Sequence, residues 1–281
     1  MSEGPEVRAD PHASGGAIML QTRKLILAIV ASIAGIASGL HAAAAQDAAA
    51  PGGYQFFVTP YLWLSSVHST TKTPLARVPD VNSNVSTIDL LSHLDGVPVM
   101  GSVEVRYGPV GFLGDVIHLP VSTDITTRDV LFQGGNAKLR ANTGTGVILY
   151  RALEDPVQFA DVGAGFRAWG FSMDLNLNAG LLPATSVSRS GGWTDPLLGG
   201  RYHRDFGNGF GLTAYGDVGG FGVGAHVDWQ VIGTVDYAPN PWLNLHLGYR
   251  SLNFNYQASG GRDLGFDVHM RGPMLAGTFR F

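Results

Sequence analysis

The chain contains no cysteine. That excludes a disulfide-stapled scaffold and any metal centre built on thiolates. Charge is also scarce: Asp, Glu, Lys and Arg make up 14% of the 281 residues, against about 25% in an average soluble domain. What charge there is leaves a net −4 at neutral pH, so there is no basic excess to meet the phosphates of nucleic acid. A coiled coil would need many more Lys, Glu and Arg. Past residue 45 no apolar run approaches the roughly 20 residues that a spanning helix requires.

Glycine and apolar residues are plentiful instead. There are 39 glycines, which is roughly twice the average share. Hydrophobic residues reach 45% and the mean hydropathy is +0.11, too apolar for a disordered chain.

The N-terminus reads as an export label. Arg23 and Lys24 precede an apolar run from Leu25 to Leu40, followed by the small residues Ala42 to Ala45. A basic stretch, a short apolar core and an Ala-x-Ala site form a cleavable signal peptide, here spanning 19–45 with cleavage after Ala45. Residues 1–18 carry Glu3, Glu6 and Asp10, which such a basic region avoids, so Met19 is the expected start and 1–18 an upstream extension. Residues 46–53 form a short linker before the domain at 54–281.

From Tyr54 onward the pattern alternates with period two, the mark of a strand with one apolar face. Leu243, Leu245, Leu247 and Tyr249 alternate with Asn244, His246, Gly248 and Arg250. Ten such segments run near 54–66, 97–107, 110–120, 137–152, 157–172, 194–206, 209–220, 225–238, 241–255 and 265–281. Short turns alternate with longer links near 67–96, 121–136, 173–193, 221–224 and 256–264. Tilted strands in even number, joined in this way, predict an all-β, antiparallel, up-and-down transmembrane barrel of about ten strands (eight to twelve). A soluble β-sandwich also alternates. The barrel is favoured by segments longer than the roughly 9–11 residues a membrane strand needs. It is also favoured by aromatics near strand ends, such as Tyr54, Phe56, Trp63, Tyr107, Tyr150, Trp169, Trp193 and Trp242, which suit interfacial girdles. Ser86-Thr87-Ile88-Asp89 is a capping-box pattern and predicts one short helix in the first long loop.

With the apolar face against lipid, the other face lines a lumen. It carries Glu104, Arg106, Asp115, Arg140, Asp161, Arg167, Arg201, Asp217, Asp228, Asp236, His246 and Arg250. Mixed charges in a confined interior persist only when paired, so a salt-bridged network is expected. Inward glycines, among them Gly144, Gly146, Gly163, Gly165, Gly199 and Gly219, would leave a narrow passage for small solutes. His203, His226 and His246 lack local metal-ligand spacing, and no metal or other cofactor is expected. Ser251 lies near His246 in sequence, but no Gly-x-Ser-x-Gly elbow is present, so no catalytic residue is assigned and the chain is expected not to be an enzyme.

A resemblance covers most of 54–281. The stretch Asp89-Leu90-Leu91 with Leu94-Asp95, then Met100, Glu104, Arg106, Gly111 and Asp115, resembles a recurring block of uncharacterised proteobacterial outer-membrane barrel proteins. Trp193-Thr194-Asp195-Pro196, the Gly-rich run Gly216 to Gly224, and Gly272-Pro273 with Phe279-Arg280-Phe281 belong to the same likeness. Leu182-Pro183, within an otherwise polar link, departs from it. The resemblance implies an outer-membrane barrel and supplies no activity.

The expected protein is therefore an integral, porin-like barrel of a Gram-negative outer membrane, structural or surface-exposed. The alternatives are a lipid-directed enzyme and a ligand-binding adhesin. Its partners would be outer-membrane lipids and the barrel-insertion machinery, with Phe279 and Phe281 as the terminal insertion signal. Both termini would be periplasmic.

Overall fold

The computed structural model describes residues 53–72, 81–125, 132–257 and 265–281. The expected extension at 1–18, the leader at 19–45 and the linker up to residue 52 lie outside the described residues.

The described elements are β1 (Tyr54–Trp63), β2 (Ser66–Lys72), β3 (Val81–Val85), α1 (Thr87–Ser92), β4 (Val99–Tyr107), β5 (Val110–Ile125), β6 (Phe132–Asp155), β7 (Gln158–Ala179), β8 (Thr185–Gly207), β9 (Phe210–Gly219), β10 (Val227–Asn240), β11 (Leu243–Gln257) and β12 (Gly265–Arg280). Each strand from β4 to β12 pairs antiparallel with the next, and β1 pairs with both β4 and β12, which closes the sheet. The register of β1 against β12 (Trp63 opposite Met274) continues unshifted into β2 (Ser66 opposite Arg271). β1 and β2 are thus one barrel strand. Its ladder is interrupted opposite Pro273, which has no N–H to give; Leu64 N–H still donates to the Pro273 carbonyl at 2.9 Å. Counted in this way the fold is a closed antiparallel barrel of ten strands, with β3 as an appended hairpin arm on β2. Closure satisfies the backbone groups of every spanning strand, the condition for a sheet in lipid.

Tight turns at Gly108–Pro109, Pro156–Val157, Asn208–Gly209 and Pro241–Trp242 lie at one end. Gly207, Asn208 and Gly209 all have positive φ (87°, 54° and 79°), the left-handed geometry that a tight hairpin demands. Tyr54 and Phe281 lie at the same end, and Phe281 exchanges backbone hydrogen bonds with Phe56 at 3.2 and 2.9 Å.

At the opposite end the strands outrun their expected bounds. β6, β7 and β8 hold 24, 22 and 23 residues. The links expected at 121–136 and 173–193 are largely strand, with only residues 180–184 outside it in the second. There Asp174, Asn176, Ser186, Ser188 and Ser190 share the outer face, while Phe171, Met173, Leu175 and Val187 share the parity of inward Arg167 and Asp195. The alternation continues with its polarity reversed, as a wall standing in water rather than lipid allows.

α1 forms where expected. Ser86 is its N-cap, accepting from the Asp89 N–H, and the Asp89 carboxylate accepts from the Ser86 N–H at 3.3 Å and its hydroxyl at 2.6 Å.

The outward face is apolar along the barrel: Val103, Phe112, Ile148, Val162, Phe166, Leu198, Val231, Leu247 and Leu275 are exposed. Tyr54, Tyr107, Tyr150, Phe210, Tyr237 and Trp242 ring the turn end. Three of the expected girdle residues are corrected: Trp63, Trp169 and Trp193 face inward. Trp169 and Trp193 bring their indole N–H groups to Asp228 (3.1 Å) and Asp195 (2.8 Å), which need donors there.

Candidate functional site

The interior is a stack of layers, built by residues of one parity on each strand. Nearest the turns, Glu104 and Arg106 of β4, Arg151 of β6, Asp161 of β7 and Arg201 of β8 converge. Arg201 reaches Glu104 at 2.6 Å and Asp161 at 2.7 Å, Arg106 reaches the same two acids at 3.1 and 3.0 Å, and Arg151 reaches Asp161 at 2.5 Å. The Arg151 guanidinium also lies 4.0 Å over the Phe159 ring, a cation–π contact.

Above this ring sits an apolar layer of Val147, Leu149 and Leu197, with Leu113 packed against it. This layer answers the question of the inward glycines. Gly144 and Gly146 are on the outer face: a Cβ on Gly144 meets nothing within 4 Å, and one on Gly146 meets the lipid-side rings of Phe166 and Phe112. Gly163 and Gly165 do face inward, and Leu149 and Val147 occupy the space beside them. At these two positions the missing side chain makes room for a neighbour rather than for solute.

The next layer is charged and sealed. Arg167 donates to Asp217 at 2.8 and 2.9 Å, to Asp228 at 2.5 Å and to Thr145 at 3.1 Å. Arg250 donates to Gln230 (2.8 Å), the Tyr61 hydroxyl (2.7 Å) and Asp115 (3.2 Å), and Tyr61 donates to Asp115 at 2.8 Å. Relative exposure is 0% for Arg167 and 1% for Arg250. Higher still, Trp169, Trp193, Phe254 and Tyr256 pack against one another, with ring centroids 4.4–5.9 Å apart. Asp195 accepts the Ala225 N–H at 2.6 Å and so draws the Gly-rich 220–226 loop into the barrel mouth.

Of the lumen residues expected from sequence, Arg140 is corrected. It sits on the outer face of the β6 extension and pairs with Asp174 at 3.4 Å, both exposed. It belongs to the stretch where Asn136, Lys138 and Arg140 make the outer face polar and Ala137, Leu139 and Ala141 take the inner parity, so polarity there does not mark the interior. The remaining expected residues face inward. Arg151, Gln230 and several threonines share the network. They share the parity of the charged positions but fall outside a list drawn from charge alone, and Arg151 stands at the end of its expected segment.

The opposite wall, near the turns, carries a second constellation. Asp236 of β10 accepts from His246 Nδ1 at 2.7 Å and from the Thr234 hydroxyl at 2.6 Å, and it is also bonded by the Thr213 hydroxyl. His203 Nδ1 lies 3.3 Å from the second Asp236 oxygen and 2.9 Å from Thr213. His246 Nε2 meets the Thr278 hydroxyl at 2.9 Å, which in turn lies 2.8 Å from the Thr59 hydroxyl. A cavity of about 560 Å³ opens against this wall, lined by Thr59, His246, Thr278, Arg280, Phe57 and Trp242 among others. His226 lies at the far end of the barrel, its N–H on the Asn255 carbonyl. The described residues hold no cluster of three or more His, Cys, Asp or Glu arranged for a metal ion. Ser251, five residues from His246, points to the opposite face of β11 and accepts from Asn253 at 3.1 Å.

No protein-family model and no curated protein matches the chain, so the finer family resemblance read from sequence finds no match there. Solved structures do match. The outer membrane protease OmpT from Escherichia coli aligns at a TM-score of 0.51, with 9% identity over 84% of this chain and 99% of that one. The translocator domain of the autotransporter NalP from Neisseria meningitidis aligns at 0.36, with 11% identity over 91% and 97%. The attachment invasion locus protein Ail of Yersinia pestis aligns at 0.34, with 13% identity over 82% and 99%. The expectation of a non-enzyme is corrected by the first of these: the barrel matched there is a protease, so this architecture is no argument against catalysis. What the likeness establishes is the fold, the closed antiparallel β-barrel of Gram-negative outer-membrane proteins.

Proposed function

We propose that the chain is an outer-membrane barrel closed to solute flow, which works from its surfaces. In this reading the leader at 19–45 exports it, the insertion machinery recognises the terminal Phe279 and Phe281, and the apolar belt contacts outer-membrane lipids. The short turns and both chain ends face the periplasm, and the β6–β8 extension faces outside.

The observation that carries the reading is the stacked filling of the lumen: a salt-bridged ring, an apolar layer and a second charged layer, with Leu149 and Arg167 each 0% exposed. Barrels of eight strands are just filled by side chains, while 16-stranded ones hold water. Ten strands lie near the filled limit, and the layers above complete the filling. This argues against the porin-like, narrow-passage reading, which needs an uninterrupted polar path.

Planar-bilayer recording of the refolded protein tests it. Silence is the expected result, and discrete channel openings from the wild-type chain would refute the closed lumen.

A further inference from the structure

We propose that the turn-end cavity is an esterase site in which Thr278 is the nucleophile, His246 the general base and Asp236 the group that orients the base. Nucleophilic catalysis requires a hydroxyl within hydrogen-bond reach of a base that is itself held by a third group. Thr278 Oγ1 lies 2.9 Å from His246 Nε2, and His246 Nδ1 lies 2.7 Å from Asp236 Oδ1. With an ionised Asp236 the Nδ1 carries the proton, which leaves the Nε2 lone pair facing the Thr278 hydroxyl.

The order of the three groups relative to the cavity is that of a working site. Thr278 and His246 line it, whereas Asp236 stands behind them, 1% exposed. Asp236 is further fixed by Thr213 and Thr234. Three residues from three strands are thus held by backbone pairing, which gives more rigid placement than loops do.

A lumen wall that only needed to satisfy polar groups would pair acids with arginines, as the facing wall does. Here a carboxylate is committed to an imidazole whose other nitrogen is turned to a hydroxyl at the cavity surface. Arg280, the next inward position along β12, brings to the same cavity a guanidinium that makes no ion pair among the described residues. The guanidinium lies 5.9 Å over the Phe57 ring, and in the proposed site its charge serves the oxyanion that forms on a bound ester. Phe57 and Leu113 supply apolar wall, so the substrate class is a carboxylic ester with a short acyl chain.

The step balances without any other reagent than water. Thr278 Oγ1 attacks the ester carbonyl carbon while its proton passes to His246 Nε2. Collapse of the tetrahedral adduct breaks the bond to the alcohol oxygen, which takes that proton and leaves. Water then attacks the acyl-threonine, giving its proton to Nε2. The acid departs and Thr278 Oγ1 recovers the proton.

The test uses the full barrel refolded in detergent, with its fold verified by heat-modifiable migration, and p-nitrophenyl acetate, butyrate and octanoate as substrates. The wild type should release nitrophenolate above a no-protein blank on at least one ester. T278V, which keeps the side-chain shape, and H246Q should lower the rate by about 100-fold or more, the scale of a general base. T278S should retain activity. Mass spectrometry of quenched wild type should place the acyl group on the peptide holding Thr278. A folded wild type inert to all three esters, or a T278V variant as active as wild type, would overturn the assignment.

Discussion

Arg167 and Asp217 face each other across the middle of the barrel, with Nη2 of the arginine donating to both carboxylate oxygens at 2.9 and 2.8 Å and water excluded from both side chains. The same guanidinium holds Asp228, so β7 is tied to both β9 and β10 through one cation. A buried pair of this kind is weak evidence of net stabilisation, but breaking it leaves an uncompensated charge.

Replacing Arg167 by Met should therefore destabilise the barrel by about 3–5 kcal/mol, the usual cost of removing one partner of a buried pair. Urea unfolding of the refolded protein in detergent, followed by tryptophan fluorescence, measures it. A variant with unchanged midpoint would show that the pair is not sealed from water.

Two glycines make a contrasting pair. A Cβ on Gly165 would collide with the Gly146 carbonyl oxygen, whereas one on Gly144 meets nothing within 4 Å. Gly165→Ala should prevent or severely weaken closure of β6 against β7, and Gly144→Ala should be tolerated. The fraction of heat-modifiable, folded protein after refolding separates the two outcomes.

Truncating the apolar layer should cost about 2–5 kcal/mol for Leu149→Ala, the range for deleting a buried leucine. Because charged layers persist above and below it, a folded variant with Leu149 and Leu197 both changed to Ala should remain almost without conductance. Adding Arg167→Met should increase ion leak in planar bilayers.

The helix α1 should respond to acid. Hydrogen bonds from the Ser86 hydroxyl and backbone hold the Asp89 carboxyl below its ordinary value. A depressed value means the cap contributes above the ordinary carboxylate range, near pH 4, and its contribution fades as pH falls through the lowered folded value. Carboxyl NMR titration should place Asp89 low in the wild type and return it toward normal in Ser86→Ala, where amide exchange at Leu90 should also accelerate.

Removing Phe281 should reduce outer-membrane assembly, since its backbone closes β12 onto Phe56 at the turn end. Membrane fractionation and heat modifiability of a chain ending at Arg280 read the effect, and undiminished assembly would remove the residue from the insertion signal.

Much of the barrel is legible in the sequence. The alternation of Leu243 to Arg250 marks a face and a reverse face, because a strand sends successive side chains to opposite sides. The capping box at Ser86 was readable for a similar reason: its hydrogen bonds are local. What escaped was long in range or short in contrast. The β7–β8 extension reads as a link because Asp174, Asn176, Ser186 and Ser188 put polar residues on the outer face, the reverse of the spanning strands. An aromatic near a strand end, as Trp169 and Trp193 are, serves equally well against lipid or inside the mouth, and only a nearby acid, Asp228 or Asp195, decides between them.

The sequence by itself determined an alternating, cysteine-free chain with one apolar face and one polar face per strand, since period and composition are properties of neighbours along the backbone. Only the tertiary structure decided that Arg167 meets Asp217 and Asp228, that Leu149 fills the gap beside Gly163, and that Thr278, His246 and Asp236 line up at one cavity. Those relationships depend on the shear and closure of the sheet, which bring residues tens to hundreds of positions apart to one height, and no local pattern carries that register.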